Sequence, residues 1–176
     1  LADIDDCEPL ASRSFAALAA AAGQPEEAFL YDFLVGGQGR DFVVRFFTNY
    51  SEYNHDALHE MQMNDLTVSG LSDAGAHVSV IFDAVAPTFL LTHWVRDRRR
   101  GQRLPLERVV HRQTQRNAQL FGLHDRGSLE VGKRADVNVI DMARLSLGAL
   151  TLHRDLPAGG ARLLQPASGY VATYVN

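Results

Sequence analysis

The sequence predicts an α/β protein whose last third is mostly β. Three observations predict it. Two strand-like stretches, DFVVRFFT (residues 41–48) and LTVSGL (residues 66–71), are separated by a helical pattern, the crossover that parallel pairing requires. Helical patterns at both ends of that pair extend the alternation up to Leu123. Beyond Leu123, Gly127, Gly132, Gly148, Pro157, Gly159, Gly160, Pro166 and Gly169 cut the chain into short β-prone runs. The boundary therefore falls near Leu123, with an α/β portion over residues 1–123 and a β portion over residues 124–176.

Taken in order, Phe15, Leu18, Ala19 and Ala22 recur at helical spacing, and Gly23 stands where a left-handed cap would end the helix. Pro25 suits the first turn of a second helix, whose apolar side is Phe29, Leu30, Phe33 and Leu34 and whose end is Gly36 and Gly37. Residues 42–47 are nearly all β-branched or aromatic, which predicts a strand buried on both faces, with Arg45 the exception. Asn49 and Glu52 have capping-box spacing, so a helix is expected from there to Met63, with Leu58 and Met61 inward. The strand at residues 66–71 follows. Pro87 then opens a helix with Phe89, Leu90, His93 and Trp94 on its buried side, ending in Arg96, Arg98, Arg99 and Arg100 before Gly101. Pro105 opens the next, carrying Leu106, Val109, Val110, Thr114, Asn117 and Leu120 as far as Gly122. Short strands are expected within DVNVID (residues 136–141) and at residues 170–175.

Composition bounds the function. With 176 residues, 46% of them apolar, and no low-complexity tract, the chain can bury a core. A net charge of −4 spread along its length gives no reason to expect a nucleic-acid partner. One cysteine, Cys7, excludes an internal disulfide and a Cys-rich zinc cluster, which fits a cytoplasmic protein. No apolar run approaches the ~20 residues a bilayer requires, so no membrane partner is expected. The chain opens at Leu1 without a leader and enters what reads as mid-domain, which predicts a piece of something longer.

Several constellations invite a chemical reading and fail it. The arginines at 96, 98, 99, 100 and 103 sit at a helix C-terminus with no interleaved aromatics, which predicts a solvated helix end. His55 and His59 in HDALH resemble the zinc-binding H-E-x-x-H, but Asp56 is one methylene too short and no third ligand is evident. An exposed helix face is the expectation there. Gly36, Gly37 and Gly39 follow no strand and match no phosphate-binding pattern. Cys7, in the acidic run DIDDCEP, lacks the positive surroundings of a reactive thiolate.

What remains is Asp73 with His77, in SDAGAH directly after the second predicted strand. A strand end is where parallel α/β architectures place their chemistry. A carboxylate there can hold a metal-bound water, take its proton as it attacks a carbonyl, and pass that proton to a leaving nitrogen. His77 could orient that carboxylate or touch a substrate group. The plainer alternative makes Asp73 a turn residue of an unrelated α/β fold.

Longer stretches carry a resemblance. The run from Thr114 through Asn117, Ala118, Gly122 and Leu123 into DRGSLEVGKRADVNVID (residues 125–141) resembles the C-terminal hallmark of the metal-dependent amidohydrolase superfamily, and SDAGAH is similar to its strand-8 motif. FTNYSEYN (residues 47–54), PTFLLTHWVRDR (residues 87–98) and DLPAGGARLLQ (residues 155–165) resemble the N-acyl-D-amino-acid deacylase, or D-aminoacylase, branch. The resemblance implies the C-terminal part of a (β/α)8 TIM-type barrel followed by strands of a small β-sandwich, with zinc as cofactor and an N-acyl amino acid as substrate. By position Asp73 matches the strand-8 aspartate, the acid/base that also touches metal. The superfamily's HxH motif, metal-binding cysteine and two later histidines match nothing here. Cys7 lies too late in the implied order for that role. One aspartate cannot retain zinc, which needs three or four protein ligands. The chain alone is thus expected to be inactive, its partner being the missing N-terminal part of the same enzyme or a second copy. The competing expectation is a truncated, non-catalytic barrel and sandwich module that packs or oligomerises.

Overall fold

The structure is a computed structural model that describes residues 6–37, 41–46 and 48–176. The chain divides into two compact units, Leu1–Glu60 and Met61–Asn176.

In the first unit, helix α1 (Phe15–Ala22) starts because Ser14 is extended and its hydroxyl accepts a hydrogen bond from the Ala17 N–H at 3.2 Å. It stops at Gly23, whose φ of 67° lets its N–H and that of Gln24 turn back onto the last carbonyls. Helix α2 (Glu26–Gly36) begins after Pro25 with Glu26 and Glu27 in its first turn, where acidic side chains complement the helix dipole. The two helices meet through Phe15, which stands edge-on to Phe29 and Phe33 at centroid separations of 6.1 and 5.3 Å. Gly36 ends α2 and Gly37 caps it, while Gly39 lies outside the described residues.

The strand expected at residues 42–47 does not form. Residues 42–46 carry no ladder, and Phe47 lies outside the described residues. Val43, Val44 and Phe46 stay exposed, with Phe46 stacked on Tyr50 at 4.1 Å. The next helix begins later than the Asn49 and Glu52 spacing predicts. Asn49 and Tyr53 have φ of 60° and 53°, which no helix tolerates, and it is Asn54 whose side chain accepts the Asp56 N–H at 2.9 Å. Helix α3 accordingly spans Asp56–Met63.

In the second unit the predicted strand at residues 66–71 is also absent, and no parallel pair exists among the described residues. Asn64 turns the chain instead, accepting the Leu66 N–H at 2.8 Å. Leu66 and Leu71 are 93% and 87% exposed, as the side chains of an unpaired segment can be. Helix α4 (Ala86–Phe89) passes directly into a π-helical stretch, Leu90–Asp97, that buries Leu91, Thr92 and Trp94. Of the arginines after it, Arg98 is not solvated. It is 1% exposed, lies 4.8 Å over the Trp94 ring and donates to the Gln102 carbonyl at 2.6 Å. Arg96 grips the carbonyls of Met142 and Leu145.

The helix opened by Pro105 is split into α5 (Leu106–Gln113) and α6 (Gln115–Leu120). Thr114 breaks it, with φ −123° and ψ −93° and its hydroxyl bonded back to the Val110 carbonyl at 2.7 Å. After Leu123 all regular structure is strand apart from one short turn, as expected. Strands β1 (Val137–Ile140) and β6 (Tyr170–Tyr174) pair antiparallel, as do β2 (Ser146–Leu147) with β5 (Ala167–Ser168) and β3 (Thr151–Leu156) with β4 (Gly160–Leu164). These are three separate two-stranded ladders. Gly169 has φ 97° and runs so close to Leu145 that an added Cβ would lie 2.5 Å from its Cα. Leu145, fully buried, thus lies directly against the Gly169 backbone.

Candidate functional site

The loop bearing Asp73 belongs to the second unit, and its approach is held by a row of cations. Arg108, Arg112 and Arg116 recur every fourth residue across α5 and α6. Arg108 donates to the carbonyls of Gln62 at 3.2 Å and Met63 at 2.6 Å, and to the Asp65 carboxylate at 2.9 Å. Arg112 donates to the carbonyls of Gln62 at 2.5 Å and Asn64 at 3.2 Å and to the Thr67 hydroxyl at 2.8 Å. Arg116 reaches the Asp65 carbonyl, and Asn117 the Ser69 carbonyl, at 3.2 and 3.1 Å. Gln62 and Met63 end α3 and Asn64 and Asp65 follow it, so the arginines satisfy carbonyls at the C-terminus of that helix, while within residues 66–71 it is the Thr67 hydroxyl and the Ser69 carbonyl that are engaged. Sequence reasoning missed this row, although the spacing of 108, 112 and 116 displays it.

Beyond Ser72 the chain curls. Asp73, Gly75 and His77 all have left-handed backbones, with φ of 54°, 96° and 47°. Asp and His are among the few side chains that tolerate this, and Gly75 needs no tolerance. The His77 carbonyl accepts the N–H groups of Val80 and Ile81 at 2.8 and 3.0 Å, and the Val78 carbonyl accepts the Leu163 N–H at 2.7 Å, tying the loop to β4.

Asp73 and His77 are both exposed on this loop, and no hydrogen bond or ion pair joins them among the described residues. The companion of Asp73 is a residue that no motif marks. Asp83 has its carboxyl pushed above the usual carboxylate range, first by partial burial and second by the negative charge of Asp73.

Zinc is the metal that the strand-8 resemblance implies, and the residues around Asp73 do not fit it. Among the described residues, no set of three or more His, Cys, Asp or Glu ligand atoms within coordinating reach of one another includes Asp73. In the first unit, His55 does not sit on an exposed helix face with His59. It precedes α3 and is buried, its N–H donating to the Glu8 carboxylate at 2.8 Å and its Nδ1 3.6 Å from the same oxygen. Its ring also stands edge-on to Tyr50 at 4.7 Å. A histidine and a carboxylate are two of the three or four ligands that zinc requires.

No helix among the described residues is long and apolar enough to cross a membrane. No curated protein and no solved structure matches the chain. The sequence model of the amidohydrolase family does match, over residues 2–176. With nearly every residue inside that match, the chain belongs to the amidohydrolase family.

Proposed function

We propose that the chain is the part of a hydrolase that carries the proton-transferring carboxylate for cleavage of the amide of N-acyl-D-amino acids or similar N-acyl compounds. The observation that carries the reading is the placement of Asp73. It stands exposed, with a left-handed backbone, on a loop whose approach is clamped by arginines and whose far side is tied to β4, so the carboxylate is accessible on a segment anchored at both ends. In this role Asp73 accepts a proton from the attacking water, the C–N bond breaks, and the same proton goes to the leaving nitrogen. His77, four residues on, contacts the substrate from the same loop. Zinc needs ligands besides Asp73, so no catalytic step is assigned to it within this chain, and the 176 residues alone are inactive. The complete enzyme is read as the rest of a TIM-type barrel with a β-sandwich, supplied by a longer polypeptide or by a second copy. The unladdered residues 66–71 are the edge such strands would join.

The test uses the polypeptide encoded by the whole reading frame around these residues, assayed on N-acetyl-D-methionine beside the 176-residue chain. The short chain is expected to turn over nothing. In the longer one, Asp73→Asn is expected to lower kcat by about a thousandfold, in line with removal of a general acid/base. His77→Ala should act mainly through KM. An Asp73→Asn enzyme within tenfold of the parent would overturn the assignment.

A further inference from the structure

The arginine row that holds residues 62–69 also borders a cleft of about 230 Å³, lined by Asp65, Thr67, Arg108, His111, Arg112 and Arg116, with Gln119 at its edge. A water molecule's share of liquid volume is about 30 Å³, so this is room for several waters or for one small polyatomic ion. We infer that the cleft binds a small phosphate-type oxyanion, either inorganic phosphate or the phosphoryl group of a small monoester.

Charge argues for it first. Three guanidinium groups face one carboxylate, that of Asp65, whose side chain is 90% exposed. Two positive charges are left uncompensated at the cleft. Arg112 is only 8% exposed and its cationic form is disfavoured, chiefly by burial and then by Arg108, with a further contribution from Arg116. A bound anion would offset the repulsion among these cations.

Geometry argues for it second. Arg108 and Arg112 are each held by two backbone carbonyls and Arg116 by one, so two of the three guanidinium groups are oriented before any ligand arrives. Their remaining N–H groups have no protein acceptor among the described residues. Arg108 keeps Nη1, Arg112 keeps Nε, and Arg116 keeps Nε and Nη1. Donors from three forks suit a doubly charged tetrahedral ion better than one carboxylate, which a single fork satisfies.

The test is calorimetric titration of the full chain at low ionic strength with inorganic phosphate, and in parallel with glycerol 3-phosphate, acetate and chloride. A saturable 1:1 heat is expected with the phosphates and none with acetate or chloride. Whichever phosphate binds more tightly identifies the source. Arg116→Gln, checked for folding by Trp94 fluorescence, should weaken binding about tenfold, the worth of one charge-assisted hydrogen bond. Arg99→Gln, at an exposed arginine outside the cleft, should leave it unchanged. If Arg116→Gln fails to fold, Arg116→Lys keeps the charge without the fork and should still weaken binding. No saturable heat, or equal loss in the Arg116 and Arg99 variants, would overturn the inference.

Discussion

Arg112→Met tests whether side-chain donors from α5 hold the C-terminus of α3 and the turn that follows it. Methionine fills much of the same volume and removes three hydrogen bonds, to the carbonyls of Gln62 and Asn64 and to the Thr67 hydroxyl. A hydrogen bond from a charged donor is worth about 1.5–3 kcal/mol. Gln62 and Asn64 keep solvent access, so their carbonyls can rehydrate and the lower figure applies, giving about 4–5 kcal/mol gross. Against this stands the relief of a buried charge that burial, Arg108 and Arg116 all disfavour. Allowing about 1–2 kcal/mol for that relief, the net destabilisation is about 3 kcal/mol. Urea unfolding followed by Trp94 fluorescence measures it in the relevant unit, because Trp94 is the chain's single tryptophan and is buried there. Arg112→Lys, a cation without the planar fork, should lose about half as much. An Arg112→Met protein within about 0.5 kcal/mol of the parent would show that water serves these carbonyls equally well, and the clamp would not be what holds the loop's approach.

Other outcomes follow from the same reading. Gly127 and Gly132 both have positive φ, yet an added Cβ at Gly127 would lie 2.8 Å from the Gln115 Cα and one at Gly132 would touch nothing. Gly132→Ala should therefore cost about 1 kcal/mol, the left-handed backbone term alone, and Gly127→Ala at least twice that by the same urea assay. Asp97 is held below the usual carboxylate range, first by hydrogen bonds from Arg96, so its contribution is present above an unfolded pKa of about 3.9 and is lost as pH falls through the lower folded value. Asp97→Asn should flatten that acid limb by less than about 1 kcal/mol, because the pair is half in solvent. Ser14→Ala removes the cap of α1 and should cost about 1 kcal/mol, read by far-UV circular dichroism during unfolding.

Where local rules act on neighbouring residues, the sequence is a good guide. Gly23 as a left-handed cap, Pro25 ahead of α2, and Gly122 past the end of α6 each follow from one residue's backbone preference. The failures share a different cause. β-branched and aromatic composition at residues 42–47 and alternation at residues 66–71 state a preference for extended backbone, but a strand exists only where another strand accepts its hydrogen bonds. Within residues 66–71 the Thr67 hydroxyl and the Ser69 carbonyl are instead engaged by Arg112 and Asn117, more than forty positions away, and no local pattern contains that information. The split at Thr114 was legible in principle, since a threonine can bond back to the preceding turn, yet it sits at a helical position and reads as one.

The candidate site shows the same division within a few residues. Asp73, Gly75 and His77 are a set of residue types that a curled loop permits, so the loop itself can be read from SDAGAH. Asp83 cannot, because its proximity to Asp73 results from the turn that the His77 carbonyl closes onto Val80 and Ile81 and from the tie between Val78 and β4. That pairing has a chemical consequence. The charge on Asp73 raises the cost of ionising Asp83, so a cation arriving beside them would meet two carboxylates rather than one. Replacing Asp83 by Asn would leave Asp73 alone to attract it, and the difference in cation affinity between the two proteins would measure how far the loop acts as a pair.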